Sequence, residues 1–460
     1  MRQMAMVGFL QAQNCTQVAS SWRHPEARLD FLTADYFQHI ARVLEAGKFH
    51  LGFFDDRLAM PEYGPDHAPI VENGVRCVKM DPTTILMAMG MAAPRLGLGA
   101  TYSTTYYEPF HVARVFATLD LMTGGRAAWN VVTSVNDGEA QNMGRVEHLA
   151  HDLRYDRADE FMEVVLGHWD TWEDGAIVTD RASDVFAVAH KVHRLNHHGP
   201  FFRSRGPFTV PRSPQGHPVV IQAGSSGRGK RFAARWGELV FVAYGDLETG
   251  RRAYAELKDE VSRHGRDPDQ MRIASLISPI VAETRAEAED KMAVIERGYR
   301  DVDGLSLLSE ALNFDFARKT LDEPFTDAEL AGMTGMHAMR DRVVERCGGA
   351  NPNVRDFLRI TQRGKPAHPV LGTAAEVADT LEEWFTARAC DGFVVSATHI
   401  PGSYEDFVRL VVPELQRRGL HQLNYAGRTL RENLGLRRPA SGDWRTPPQA
   451  DVRPPAKARE

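Results

Sequence analysis

The run 126-RAAWNVVTS-134 is apolar until it closes on Asn130, Thr133 and Ser134. An amide that donates and accepts without changing charge, set beside two hydroxyls, suits the orientation of a bound ring or of an oxygen-containing reactant. Three other apolar runs end in the same way: FFDD on Asp55 and Asp56, LGLGATYSTT on Ser103, Thr104 and Thr105, and VVIQAGSS on Gly224, Ser225 and Ser226. Each of these residue types also serves as a helix cap or turn former. Four polar run ends together point to one shared site.

Two further clusters carry chemistry. In 222-QAGSSGRGKRFAARW-236, glycines at 224, 227 and 229 allow a tight turn, two hydroxyls follow, and a helix starts at once with Lys230 and Arg231 close by. This is the pattern of an anion-binding nest aimed at a phosphate. Gly224, Gly229 and Lys230 also fit GxxxxGK, but Arg231 stands where that motif needs Ser or Thr to hold magnesium, so a nucleoside-triphosphate loop is disfavoured. In 151-HDLRYDRADEF-161, helical spacing puts His151 and Tyr155 on one face with Arg154 and Arg157 beside them, a face for phosphate or ring edges. The same segment also reads as a surface helix with Arg–Asp pairs. No metal site is expected: His148 with His151, and His197 with His198, have no carboxylate or third histidine at a ligand-like offset. His24, His198 and His337 are loop histidines that can shape or protonate a substrate.

These residues need a scaffold that gathers strand ends. Eight short β-rich runs, 4–10, 50–56, 95–104, 126–134, 218–224, 238–244, 272–281 and 392–399, alternate with amphipathic segments such as 34–48, 110–122, 155–169, 253–265 and 375–389. Eight βα units predict an α/β fold closed as a (β/α)8 TIM barrel, in which polar residues at the C-terminal ends of strands face the ligand. The barrel is expected over residues 1–436, with insertions near 172–216 and 282–370 and a hairpin within 197–216. Residues 437–460, rich in Pro, Arg and Asp without periodicity, are expected to be disordered or draped on a neighbour.

Composition narrows the class. The 460 residues carry a net charge of −6 and 43% hydrophobic residues, which asks for neither nucleic acid nor an anionic membrane. No apolar run reaches the roughly 18 residues of a membrane span, and the N-terminus reads as a strand rather than a signal peptide. Cys15, Cys77, Cys347 and Cys390 show no CxxC spacing, which fits reduced thiols and a cytoplasmic protein.

GGRAAWNVVTS, HDLRYDRADEFMEVV, GPFTVPRSPQGHPVVIQAGSS, ADTLEEWF, DGFVVS, and VVPELQRRGL with GRTLRENLGL, in that order between residues 4 and 436, resemble the bacterial-luciferase-like flavin monooxygenases. Within them the chain is similar to the branch containing nitrilotriacetate, EDTA and dibenzothiophene-sulfone monooxygenases. The resemblance implies a barrel enzyme that uses FMN as FMNH2, supplied by a separate NAD(P)H:flavin reductase, with O2 and a small organic substrate, as a homodimer or homotetramer. It places cofactor contacts on Asp56, Ser103, Thr104, Asn130, His151, Tyr155, Ser225 and Ser226, and catalysis on Asn130 and Thr104. The phosphate would rest on the serine loop and the Tyr155 hydroxyl, with Asn130 near the reactive part of the ring. Residues 300–365 and the loop Cys15–Trp22 depart most from the family, so the resemblance names no substrate. Two other readings stay open: a deazaflavin-dependent oxidoreductase on the same fold, and a flavin-binding protein without turnover.

Overall fold

In the computed structural model, which describes residues 2–224 and 227–445, each of the eight apolar runs is a strand. They are β1 (Ala5–Gln11), β2 (Leu51–Asp55), β3 (Gly97–Ser103), β4 (Ala127–Val132), β5 (Val219–Gln222), β6 (Leu239–Val242), β7 (Arg272–Val281) and β8 (Gly392–Ser396). Every strand pairs in parallel with its sequence neighbour, and β8 pairs with β1, so the sheet closes. A closed parallel sheet is covered on both faces, which is why β1 and β3 are buried at every position and read as continuous apolar runs.

Alternation sorts the side chains. Val7, Phe9, Leu51, Phe53, Ala128, Ile221, Leu239, Ala274 and Val394 fill the barrel interior. Trp129, between two inward residues, turns outward against Phe116, Phe161 and Trp169 of the helix layer. Asn130 and Thr101, paired in register across β3 and β4, therefore point into the barrel. Gly99, paired with Ala128 one inward step below, lets Ile221 pack close: a Cβ there would meet Ile221 Cδ1 at 3.2 Å.

The covering helices include α1 (Ala34–Ala46), α2 (Pro82–Ala92), α3 (Pro109–Met122), α4 (His151–Trp169), α5 (Gly227–Trp236) and α6 (Leu247–Arg263). Between β7 and β8 the chain leaves the barrel rhythm through α7 (Arg285–Gly298), α8 (Asp301–Leu312), α9 (His337–Arg346) and α10 (Val354–Thr361), and a strand at Pro369–Gly372 then pairs with the second half of β7. This excursion has its own core, with Leu308, Phe316, Phe325, Val343 and Phe357 buried together. Helix α11 (Ala374–Thr386) opens on a capping box of Thr373 and Glu376 and returns the chain to β8.

The β4–β5 insertion differs in detail from expectation. Only His197–His198 and Arg203–Ser204 pair as a hairpin within 197–216, because Pro207, Pro211 and Pro214 remove backbone donors beyond it. A second hairpin, Ile177–Asp180 with Val185–Ala187, is exposed except at half-buried Ala187 and so lacks the burial alternation that would betray it. Past residue 436 the chain continues against the barrel. Arg438 pairs with both Asp174 oxygens at 2.6 and 2.7 Å, and Trp444 Nε1 donates to Asp170 at 3.0 Å. Residues 437–445 are thus ordered by specific partners, a correction to the break expected at 436, and 446–460 lie outside the described residues. Just before them, Leu430 and Leu434 plug the N-terminal mouth of the barrel, and Arg431 locks the plug with two bonds to Glu238, at 2.6 and 2.8 Å.

Candidate active site at the strand ends

At the β3–β4 corner the polar strand ends form one hydrogen-bonded lattice. Asn130 Nδ2 donates to Thr101 Oγ1 at 2.9 Å, and Thr101 donates to the Phe54 carbonyl at 3.1 Å, so the amide ties β4 to β3 and β2. The other half of the amide is unspent: Asn130 Oδ1 is buried with no hydrogen-bond partner. A buried acceptor without a donor is costly unless a ligand completes it. Above it, Ser134 Oγ donates to Ser103 Oγ at 3.0 Å and lies 3.1 Å from Glu139 Oε1, which also accepts from the Leu58 N–H. Ser134 holds φ at +53°, a left-handed conformation unusual for a residue with a side chain, at the point where the strand turns toward the site. Thr104 is fully buried and its hydroxyl donates to the Val132 carbonyl at 3.2 Å, while Thr105 donates to Thr133 O at 2.7 Å. Thr104 therefore presents the seam between two strands rather than a free hydroxyl. Glu139 carries no signal in the sequence, because acids in the first turn of a six-residue helix, Asp137–Asn142, read as ordinary helix-start residues.

The opposite wall is the start of α4. His151 and Tyr155 share a face as the spacing predicts, with ring centroids 5.1 Å apart, and Tyr155 packs on Phe232 of α5. Their arginine neighbours act differently from expectation. Arg154 donates to the Ser134 carbonyl and Arg157 to the Thr104 carbonyl, and Arg157 also stacks over Phe202 at 4.5 Å. These two cations buckle α4 to the ends of β3 and β4 instead of standing free for a phosphate. Arg228, in the first turn of α5, lies over the Tyr155 ring at 5.5 Å and pairs with Asp156 and Asp159. Gly224 at the end of β5 has no room for a side chain, since a Cβ would sit 3.0 Å from the Gly229 Cα. Ser225 and Ser226, expected to hold the phosphate, lie outside the described residues.

The β1–β2 corner completes the mouth. Asp55 accepts from the Gln11 amide, and burial raises its carboxyl against the pull of Arg57 and Arg76. Asp56 is pushed up to about 7 by burial, with Asp55 adding to the rise and Lys79 opposing it. Helix α8 reaches over this corner with Glu310, which meets Lys79 at 3.2 Å and Arg76 at 3.4 Å. Burial alone would raise Glu310, yet Lys79, Arg57 and Arg76 hold it down to about 2.

A family model described as "Luciferase-like monooxygenase" matches residues 9–411. The chain belongs to this family. Over 449 residues it is 43% identical to the dibenzothiophene-sulfone monooxygenase of Rhodococcus erythropolis, covering 95% of this chain and 98% of that one. It is 38% identical to nitrilotriacetate monooxygenase component A of Aminobacter aminovorans, covering 91% of this chain and 93% of the relative. Among solved structures it is similar to a riboflavin lyase crystallised with modified FMN and riboflavin, with a TM-score of 0.85, 30% identity, and 95% and 97% of the two chains covered.

Two other features of this luciferase-like barrel bear on the site. Phe9, Phe53 and Phe241 line the interior beneath the mouth, with Phe53 centroids 5.9 Å from Phe9 and 4.9 Å from Phe241. Each sits in an unbroken apolar run, where nothing in the sequence separates a pocket wall from ordinary core. After β8, His399 stacks on His24 with centroids 3.7 Å apart and planes 8° from parallel. With Glu26 they are the group among the described residues close enough to share a cation. Parallel rings send their in-plane lone pairs in parallel directions, however, so they do not converge on one ion. Burial lowers both imidazoles, His399 to about 3, and keeps the pair neutral. His198 and His337 are exposed. The four cysteines are free. No helix among the described residues is long and apolar enough to cross a membrane.

Proposed function

We propose that this chain is the oxygenase of a two-component system, which takes FMNH2 from a separate NAD(P)H:flavin reductase and uses O2 to oxygenate a small organic molecule. Cleavage of a C–N, C–S or carbon–halogen bond is the outcome most in keeping with its relatives. The observation that carries the reading is the Asn130 amide, which is fixed by its donor half to Thr101 while its acceptor half is buried and unspent inside the barrel mouth. That is the complement of a ring N–H. Around it, Ser103 and Ser134 offer hydroxyls, Asp56 a carboxyl, and His151 and Tyr155 a wall that leads to the glycine-rich turn before α5. Such a corner suits a planar ring at one end and an anionic tail at the other.

Bound reduced flavin supplies the electrons that activate oxygen. The protein's own part is to orient and to exclude water. Arg154 and Arg157 clamp the strand ends that carry the polar lattice, Asn130 holds one register of the ring, and α8 covers the β1–β2 side. A relative named as one component of a monooxygenase supports the division of labour with a reductase, and no GxGxxG follows an early strand to bind a dinucleotide. A partner that draws on NAD(P)H implies the cytoplasm, and self-association as a dimer or tetramer belongs to the same reading.

The test combines the pure chain with a flavin reductase, NADH, FMN and 18O2 against a panel of small sulfones, thioethers and tertiary amines. A product carrying one 18O atom, formed only when the reductase is present, is expected. Rapid NADH oxidation by the chain alone, or turnover with a reduced deazaflavin and no oxygen uptake, would replace this reading with its rival.

A further inference from the structure

The β1–β2 corner leaves three buried guanidinium nitrogens without hydrogen-bond partners. Glu310 has no exposed side-chain surface, and its two oxygens face Lys79 at 3.2 Å, Arg76 at 3.4 Å and Arg57 at 4.0 Å. Arg363, from the loop after α10, acts on the same group of charges. One carboxylate cannot serve all four. Arg57 Nη1, Arg76 Nε and Arg363 Nε are buried without a hydrogen-bond partner, and the Arg76 side chain is only 7% exposed. Asp55 and Glu139 also attract Arg57 by charge, but their hydrogen bonds come from other donors: the Gln11 amide for Asp55, and the Ser134 hydroxyl and the Leu58 N–H for Glu139. A buried guanidinium N–H left without an acceptor is destabilising, so this arrangement persists at a cost that an incoming anion would relieve.

Position makes the charge useful. Arg57 lies two residues beyond β2, beside Asp56, and is linked to the β3–β4 lattice through the charge of Glu139. A small cavity at the same strand ends is lined by Gln13, Phe54, Asp55, Asp56 and Lys79, so Lys79 is the cation around Glu310 that borders it. Guanidinium forks match the paired oxygens of an organic oxyanion and hold it in a fixed orientation.

We propose that Arg57, Arg76 and Arg363 form an anion subsite that takes the carboxylate, sulfinate or sulfonate group of an acidic substrate and sets its reacting end toward the mouth of the barrel. The assignment rests on the reading of the strand ends as the flavin site, and it selects an acidic substrate over a neutral sulfone or hydrocarbon. Glu310 holds the three arginines apart and competes with the ligand, and because it rides on α8, occupancy of the subsite is coupled to the excursion that covers the site.

The experiment is calorimetric titration of the full-length chain, saturated with FMN, with benzoate, benzenesulfonate and the uncharged benzamide. At least one anion should bind tenfold or more tightly than benzamide. That preference should fall below threefold in Arg76→Met and in Arg363→Met, and the anion's affinity should rise at least threefold in Glu310→Gln, with FMN affinity within twofold of the parent in all three. If Arg76→Met does not fold, the other two variants decide. Equal binding of anions and benzamide by the parent, or a preference that survives both arginine substitutions, would overturn the subsite. So would a tenfold loss of FMN affinity in an arginine variant, which would give these cations to the cofactor. A parent chain that binds no FMN would instead overturn the flavin reading.

Discussion

Asn130 shows how one side chain can be both structural and functional. Its Nδ2 is committed to Thr101, so the dual role expected of the amide reduces to the acceptor at Oδ1. Asn130→Ala should leave the chain folded and most flavin binding intact. Product per O2 consumed should fall by about tenfold or more, the balance appearing as hydrogen peroxide, because a misoriented ring is oxidised without coupling. Asn130→Asp should be at least as poor, since an ionised carboxylate cannot donate to Thr101. Parental coupling in a folded Asn130→Ala protein would reduce the residue to its strand-tying bond. Asp56 gives a second prediction with a definite sign. Its folded pKa of about 7 lies above its ordinary value of 3.8, so between those pH values the folded chain keeps a proton that the unfolded chain has lost. Stability should therefore fall as pH rises from about 4 to about 7, and Asp56→Asn should flatten that slope in thermal melts. The polar residues themselves were legible as interruptions of apolar runs. Which atom of each is spent was not, because Thr101, Val132 and Leu58 arrive as partners only once strands are in register.

The elements that carry these residues were legible to different degrees. Barrel strands announce themselves as short apolar runs between helical periods, and all eight fall within two residues of the expected limits at their starts. Helix α4 was legible in its His151–Tyr155 face but not in the use of Arg154 and Arg157, since a helix pattern does not say whose carbonyls lie across from it. The α4 prediction follows from that geometry: Tyr155→Phe, with Arg154 and Arg157 still buckling the helix in place, should preserve the melting temperature and remove one hydrogen bond to a charged group. That is worth about 1.5–3 kcal/mol, or roughly ten- to a hundredfold in FMNH2 affinity measured anaerobically. Ser226→Ala should behave alike. Unchanged affinity in both variants would move the phosphate elsewhere. The β7–β8 excursion was the least legible element. Its functional residue, Glu310, sits more than two hundred positions from Arg57 and Arg76, and only the topology brings α8 over β2.

At the scale of the whole molecule the two ends of the barrel divide the labour. The C-terminal mouth is polar, incompletely satisfied and lined by left-handed backbone, while the N-terminal mouth is plugged by Leu430 and Leu434 and locked by Arg431 on Glu238. Arg431→Met breaks a buried pair and should cost about 3–5 kcal/mol in denaturant unfolding, yet the activity of the molecules that remain folded should be unchanged, because the pair lies at the far end of the barrel. A fall in flavin affinity of the folded fraction would show that the two ends are coupled. The chain after 436 shows the limit of composition: a Pro- and Arg-rich segment expected to be disordered or draped on a neighbour is held, as far as residue 445, by Asp170 and Asp174 of the same chain.

The claim that the strand-end corner manages the encounter of reduced flavin with oxygen is tested most directly without any substrate. FMNH2 and excess chain, mixed anaerobically, are combined with oxygenated buffer in a stopped-flow instrument, and flavin oxidation is followed by absorbance beside free FMNH2 and beside Tyr155→Phe. The parent chain should replace the time course of free FMNH2 with its own slower phases, Tyr155→Phe should need more protein to do so, and reduced deazaflavin should be left untouched. A time course identical to that of free FMNH2 at every protein concentration would contradict the claim.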